Sequence, residues 1–213
     1  MTTQVVILAA GMGSRLGREL PKPLTELSDG RTIMQQQHDN IAAAFGTDVA
    51  ITTVVGYKLE HIIDAFPEVE YVYNEQYDQT NTSKSLLRAL KATGKSGVLW
   101  MNGDVVFDPQ VLVRVAGLVH ADRSFVSVNT SAVSDEEVKY TVDAEGFIQS
   151  LSKTVVGGLG EAVGINYISS RDKAVLMHHL TRCADQDYFE RGIELAIEHD
   201  GIRVEPVDIS DLY

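Results

Sequence analysis

Short apolar runs rich in β-branched residues alternate along this chain with segments whose apolar positions recur at helical spacing. Residues 4–10 form one such run and lead directly into glycines, as a fully buried parallel strand does where it ends. Strand-like runs follow at residues 49–55, 69–73, 98–101 and 125–128. Between most of them lie helical stripes: Ile33, Ile41 and Phe45 mark one, Leu86, Leu87 and Leu90 mark another that stops at Gly94, and residues 111–119 fit a third. This alternation predicts an α/β fold with a mostly parallel sheet flanked by helices. After Ser131 the rhythm changes. Residues 138–142 and 147–151 flank Asp143 to Gly146, the composition of a hairpin loop, so the sheet is expected to become mixed there. Residues 162–168 read as a further strand, 173–180 and 189–197 as helices, and 202–207 as the last strand. With no internal repeat and no low-complexity stretch, residues 1–213 are expected to form one domain.

Composition narrows the chemistry. The formal net charge of −12 excludes a protein that coats nucleic acid, because phosphate-backbone binding needs a dense basic surface. Short basic segments become more informative for that reason, and Arg15, Arg18 and Lys22 form one. No apolar stretch is long enough for a membrane span. The first residues lack the positive flank of a signal peptide, so a cytoplasmic protein is expected. Cys183 is the single cysteine; it rules out an internal disulfide and a thiolate zinc cage, and it reads as a buried structural thiol. The six histidines form no His-Glu-x-x-His arrangement.

The segment from Leu8 through Ala9, Ala10, Gly11 and Gly13 to Arg15 and Gly17 places glycines just past the first strand. Exposed backbone N–H groups there can approach a triphosphate without interference from a Cβ. A dinucleotide fingerprint starting at Gly11 would need glycine where Leu16 stands. Gly94-Lys95-Ser96 follows a helix instead of preceding one and reads as a helix-ending turn, not a Walker A loop. Lys22 stands between Pro21 and Pro23, which biases the chain toward an extended form and restrains the ammonium.

Together the glycine loop, Arg15, Gly17 and the Pro21-Lys22-Pro23-Leu24 segment resemble the signature of nucleotidylyltransferases that activate sugar 1-phosphates and phosphocholine. The resemblance runs along nearly the whole chain and is strongest in the first 24 residues. It implies a Rossmann-like mixed sheet of the nucleotide-diphospho-sugar transferase type. It also implies that Leu8, Ala9, Ala10, Gly11 and Gly13 cradle a nucleoside triphosphate with Arg15, and that Lys22 stabilises the α-phosphate under attack. The stretch from Asn74 to Leu87 is similar to that of phosphocholine-type cytidylyltransferases and differs from the sugar-nucleotide pattern. Within it Asn81, Thr82 and Ser83 stand at an expected helix start, where they read a base or sugar, or only cap the helix. Lys84-Ser85 departs from relatives and leaves the acceptor open.

Asn102, Gly103 and Asp104 follow a buried strand, so the carboxylate is expected at the carboxyl edge of the sheet, where α/β proteins bind ligands. The resemblance makes Asn102 and Gly103 nucleotide contacts and makes Asp104 a magnesium ligand. Asp208, after the last expected strand, would be the second ligand, giving two Mg2+ ions, although the family's closing helix lies further on than Tyr213. In the acceptor-side hairpin Lys153 would contact the acceptor phosphate, with Glu161 and Gly164 bordering the pocket. Gly157 to Gly160 would flex over it or form only a loop.

The expectation that follows is a cytidylyltransferase carrying CMP from CTP to a small phosphate or phosphonate acceptor, phosphocholine-like or aminoethylphosphonate-like. Trp100, Tyr140, Tyr167, Tyr188 and Phe189 are candidates for an aromatic cage around a quaternary ammonium, or core residues. Rival readings are a sugar-1-phosphate uridylyl- or thymidylyltransferase, guanylate transfer to a pterin cofactor, and a noncatalytic nucleotide-binding protein. Whether the chain forms a homo-oligomer is left open.

Overall fold

A computed structural model describes residues 2–12, 20–131, 133–134 and 136–212. The elements in chain order are β1 (Thr3–Ala9), α1 (Ile33–Phe45), β2 (Val49–Val55), α2 (Leu59–Ala65), β3 (Glu70–Tyr73), α3 (Thr82–Ala92), β4 (Val98–Asn102), α4 (Gln110–His120), β5 (Phe125–Asn129), β6 (Lys139–Val142), β7 (Ile148–Ser152), β8 (Glu161–Ile168), α5 (Lys173–Arg182), α6 (Phe189–Asp200) and β9 (Glu205–Asp208). The sheet runs β3-β2-β1-β4-β8-β5-β9. The first four of these strands are parallel, β8 is inserted antiparallel between β4 and β5, and β9 pairs parallel with β5. The β6–β7 hairpin hangs from the start of β8, where Lys139 stands opposite Glu161.

Alternation along β1 explains why its apolar run is unbroken. Val5, Ile7 and Ala9 pack with Met34 and Ile41 of α1 and Leu112 and Val115 of α4. Val6 and Leu8, with Ala10 beyond them, pack with Leu86 and Leu90 of α3, Leu176 of α5 and Ile193 of α6. A strand buried on both faces has no polar side to show. The mixed sheet expected after Ser131 is present, and Gly146 takes the positive φ of 86° that its hairpin turn requires.

Three local expectations change. The last strand is Glu205–Asp208, because Gly201 ends α6 at φ 64° and Ile202 and Val204 are spent on the core, Val204 accepting a backbone hydrogen bond from Ile148. Helix α2 had no sequence signal: it has 7 residues, only Ile62 among them is buried, and Lys58 enters it at φ 49°. Lys22 is not extended. It opens a single 3-10 turn, Lys22–Leu24, closed by Leu24 N donating to Pro21 O and Thr25 N donating to Lys22 O. Pro23 is tolerated there because the first amides of a helical turn have no intrahelical partner.

The carboxyl ends of β1 and β4 lie side by side, Leu8 pairing with Asn102. No helix among the described residues is long and apolar enough to cross a membrane.

Candidate active site

The site begins where the turn after β4 is pinned to β1. Gly103 N donates to Leu8 O at 2.9 Å. A Cβ on Gly103 would stand 2.9 Å from that oxygen and 3.0 Å from Pro23 Cγ, so only glycine lets the Lys22 turn dock here. Docking brings Lys22 Nζ to 3.0 Å from Asp104 Oδ2. From below, the fully buried Gln37 of α1 holds the same turn, its Nε2 donating to Asn102 O at 2.9 Å and Val105 O at 2.8 Å.

Two helix N-termini converge on the same place. Asn81 caps α3, its Oδ1 accepting from Thr82 N at 2.8 Å. Thr82 Oγ1 in turn accepts from Phe189 N, the first residue of α6, at 3.1 Å. With Lys22, these two positive dipole ends create a setting suited to an anion.

They surround a cavity of about 400 Å³ whose lining includes Leu8, Ala9, Gly11, Lys22, Asn81, Thr82, Asn102, Gly103 and Asp104. A neighbouring cavity of about 540 Å³ is lined by Lys153, Glu161 and Gly164, the three expected acceptor-side residues, together with Glu137, Val105 and Val138. Asn102, Asp104, Tyr188 and Glu190 line both. The two chambers therefore share a wall centred on the β4 turn and the start of α6. Gly164 has φ 85°, and a Cβ there would meet Asn102 Nδ2 at 2.5 Å, so this glycine protects a shared wall residue.

Several expected residues fall elsewhere. Gly13 and Arg15 lie outside the described residues. Ala10 misses the 400 Å³ cavity but borders a small adjoining one with Tyr77, Thr80 and Ser85. Ser83 is fully buried and lines none of these cavities: successive helical residues rotate by about 100°, so with Asn81 and Thr82 on the cavity, Ser83 turns into the interior. Lys84 is no acceptor determinant, since its Nζ donates to the carbonyls of Leu180, Thr181 and Cys183 at the end of α5. Trp100, Tyr140 and Tyr167 are core residues, and Phe189 is buried against Trp100, which leaves Tyr188 as the one candidate aromatic that borders the 540 Å³ cavity. The loop from Gly157 to Gly160 folds back on β6, with Leu159 N donating to Tyr140 O. Cys183 is buried, and burial raises its thiol pKa, as expected of a structural thiol.

Asp208 stands apart from Asp104. It is exposed at the end of β9, three strand steps from β4, on the order of 14 Å across the sheet. Its carboxylate is taken up locally: Oδ1 accepts from Ser210 N and Oγ, and Oδ2 accepts from Thr130 Oγ1. These bonds, the Ser210 hydroxyl foremost, hold its pKa below the usual value. It lines neither chamber, so no Asp104–Asp208 metal pair is assembled. Among the described residues no group of three or more His, Cys, Asp or Glu could hold a metal alone. Asp104 with the neighbouring Asn102 Oδ1, which is buried without a partner, still fits a single magnesium ion that takes most of its ligands from phosphate and water.

Glu190 was missed. A glutamate in the first turn of a helix reads as a solvated residue favoured by the dipole. Here it is 8% exposed, its Oε2 has no partner, and burial raises its carboxyl pKa to about 7. The available signal was its place on the apolar stripe with Ile193 and Ile197, where a charge is costly unless used.

Comparison with known proteins accords with this architecture. The family model described as a MobA-like NTP transferase domain matches residues 5–155. The chain is 31% identical over 185 residues to a CMP-5'-(3-aminopropyl)phosphonate synthase of Streptomyces rubellomurinus, covering 83% of this chain and 26% of that protein. It is also 31% identical over 157 residues to the bifunctional protein GlmU of Acidithiobacillus ferrooxidans, covering 71% of this chain and 33% of the relative. The chain thus spans about a quarter to a third of the length of these relatives. Among solved structures, the inositol-1-phosphate CTP transferase of T. maritima superposes with TM-score 0.75 at 14% identity, over 100% of this chain and 88% of the other. The CTP:phosphocholine cytidylyltransferase of Streptococcus pneumoniae gives 0.70 at 17% identity, over 98% and 90%. The shared fold is that of the nucleotide-diphospho-sugar transferases.

Proposed function

The chain belongs to the MobA-like NTP transferase family, and on that footing we propose that it transfers CMP from CTP to a small acceptor bearing a phosphate or phosphonate, with release of pyrophosphate. The observation that carries this reading is the pair of chambers meeting at Asn102, Asp104, Tyr188 and Glu190, with Lys22 on one side and Lys153 on the other. Two substrates held in separate chambers with a common wall can react without either having to leave its site.

An acceptor oxygen, already largely anionic near neutral pH, attacks the α-phosphorus. A bond forms between that oxygen and phosphorus while the bond to the β-phosphate oxygen breaks, and pyrophosphate carries the electron pair away. No proton has to be removed. What the protein must do is bring two anions together and stabilise charge as it spreads over the α-phosphate. On the nucleotide side Lys22 and the N-termini of α3 and α6 supply positive potential; on the acceptor side Lys153 supplies it. Arg15 is assigned to the departing pyrophosphate by the likeness of the glycine loop. Magnesium held by Asp104 would supply Lewis-acid polarisation of the phosphates.

The choice of CTP is supported by the CMP-phosphonate synthase and the CTP-using structures named above. A UDP-glucose pyrophosphorylase of the same fold, superposing with TM-score 0.77 at 14% identity, makes UTP with a sugar 1-phosphate the reading to test against it. The deciding experiment measures pyrophosphate release with each of CTP, UTP, dTTP and GTP against aminoethylphosphonate, phosphocholine, inositol 1-phosphate and glucose 1-phosphate. Release with CTP and a small phosphate or phosphonate is the expected result. Release only with UTP or dTTP and glucose 1-phosphate would replace the reading.

A further inference from the structure

The acceptor chamber holds more negative than positive charge. Its ionisable lining residues are Asp104, Glu137, Glu161 and Glu190 against the single cation Lys153. A chamber built only for a phosphate or phosphonate anion would have the opposite balance. Two of these acids are occupied: Asp104 by Lys22, and Glu161 by Ser134, whose backbone N–H reaches its Oε2 at 3.2 Å. Glu190 differs. It is more than nine-tenths buried, yet among the described residues its Oε2 accepts no hydrogen bond. A buried carboxylate oxygen without a donor is costly, and its expected partner is a cation that arrives with the ligand.

The charges that act on Glu190 are Lys153 and Glu137, both on the acceptor side. Lys153 does not close on Glu190 as an ion pair among the described residues; its Nζ rests 4.5 Å from the centre of the Tyr188 ring. Anion receptor and cation receptor thus stand close together without neutralising each other.

Resting on the cytidylyltransfer reading, we infer that the acceptor is a short zwitterion whose phosphonate or phosphate engages Lys153 and whose primary ammonium engages Glu190. A quaternary ammonium is disfavoured. It has no N–H to give the unpaired oxygen and needs an aromatic cage, whereas Tyr188 is the only aromatic lining this chamber among the described residues and Lys153 already covers its face. A primary ammonium brings three donors to a wall of carboxylates.

Equilibrium binding tests this apart from turnover. Calorimetric titration would compare 2-aminoethylphosphonate, phosphoethanolamine, ethylphosphonate and phosphocholine on the wild-type chain and on Glu190→Gln. The wild type is expected to bind the two primary amines at least tenfold more tightly than ethylphosphonate and phosphocholine. Whichever amine binds more tightly tells the phosphonate from the phosphate ester. Glu190→Gln should erase the tenfold gap while leaving ethylphosphonate affinity and the magnesium dependence of any turnover unchanged. Equal wild-type affinity for ethylphosphonate and 2-aminoethylphosphonate would overturn the inference without any variant being needed. So would a Glu190→Gln chain that loses all ligands alike, or whose defect is a changed magnesium requirement. Absence of pyrophosphate release with every nucleotide would instead defeat the cytidylyltransfer reading and leave the binding comparison intact.

Discussion

Lys22 Nζ sits 3.0 Å from Asp104 Oδ2, joining the Lys22–Leu24 turn to the turn after β4 on the lining of the 400 Å³ cavity. Both side chains are well exposed, 39% and 44%, so the pair adds little to stability. On the proposed reading its value is positional: a phosphate between the two turns would give Lys22 a new partner and leave Asp104 free to take a cation. Lys22→Ala should therefore lower kcat on the order of 10²- to 10³-fold, the scale of losing one preorganised charge-stabilising donor. Its thermal midpoint should stay near that of the wild type. Steady-state pyrophosphate release together with a melting curve checks both halves, and unchanged turnover would remove the role assigned to Lys22.

Asp104 and Asp208 should separate cleanly. Asp104 lines both chambers, whereas Asp208 is held by Ser210 and Thr130 away from them. Asp104→Asn is expected to abolish magnesium-dependent turnover with the fold intact; Asp208→Asn is expected to leave the magnesium titration as it is. Titrating both variants with Mg2+ at saturating nucleotide decides. A shifted magnesium midpoint in Asp208→Asn would return that residue to the site.

The contrast between these aspartates shows what the sequence could convey. Asp104 was legible because it follows a buried strand, and strand ends in parallel sheets have a fixed relation to the ligand crevice. Lys153, Glu161 and Gly164 were legible for a similar reason, being fixed to the hairpin and β8. Asp208 was misplaced because a strand's position within the sheet is decided by pairing, and pairing β9 to β5 carries its end away from β4. Ser83 failed on a single helical step. Glu190 was hidden because its burial comes from contacts distant in sequence: α6 packs over β7 and α3, and no local pattern announces the cavity that results.

Lys84 and Lys173 make a second relation that local reading could not show. Lys84 on α3 donates to the last carbonyls of α5, while Lys173 on α5 donates to Thr93 Oγ1 at 2.9 Å and Gly94 O at 2.7 Å at the end of α3. Each helix thus caps the C-terminus of the other, where free carbonyls favour a cation. Replacing either lysine by methionine leaves buried acceptors unsatisfied and should cost about 1–3 kcal/mol. Lys173→Met should cost more, because Lys173 is 4% exposed. Urea unfolding measures the loss. Since neither residue lines a chamber, acceptor preference should not change in either variant; an altered ranking in Lys84→Met would make that residue a determinant of the acceptor.

Glu190 also predicts a pH dependence of stability. Burial raises its carboxyl pKa from 4.5 to about 7, with Lys153 opposing the shift and Glu137 reinforcing it. Between those two values the folded chain holds a proton at this site that the unfolded chain has released. Stability must then fall as pH rises from about 4.5 to about 7, and this contribution is constant outside that window. Glu190→Gln has no proton to lose. The unfolding free energy of the variant minus that of the wild type should grow across the window by on the order of 3 kcal/mol. Urea titrations of both proteins at intervals between pH 4 and 8 give this difference directly, with every other titrating group common to the two. A difference that stays flat would mean that Glu190 ionises in the fold as readily as in the open chain, and that its second oxygen has found a donor in the free protein.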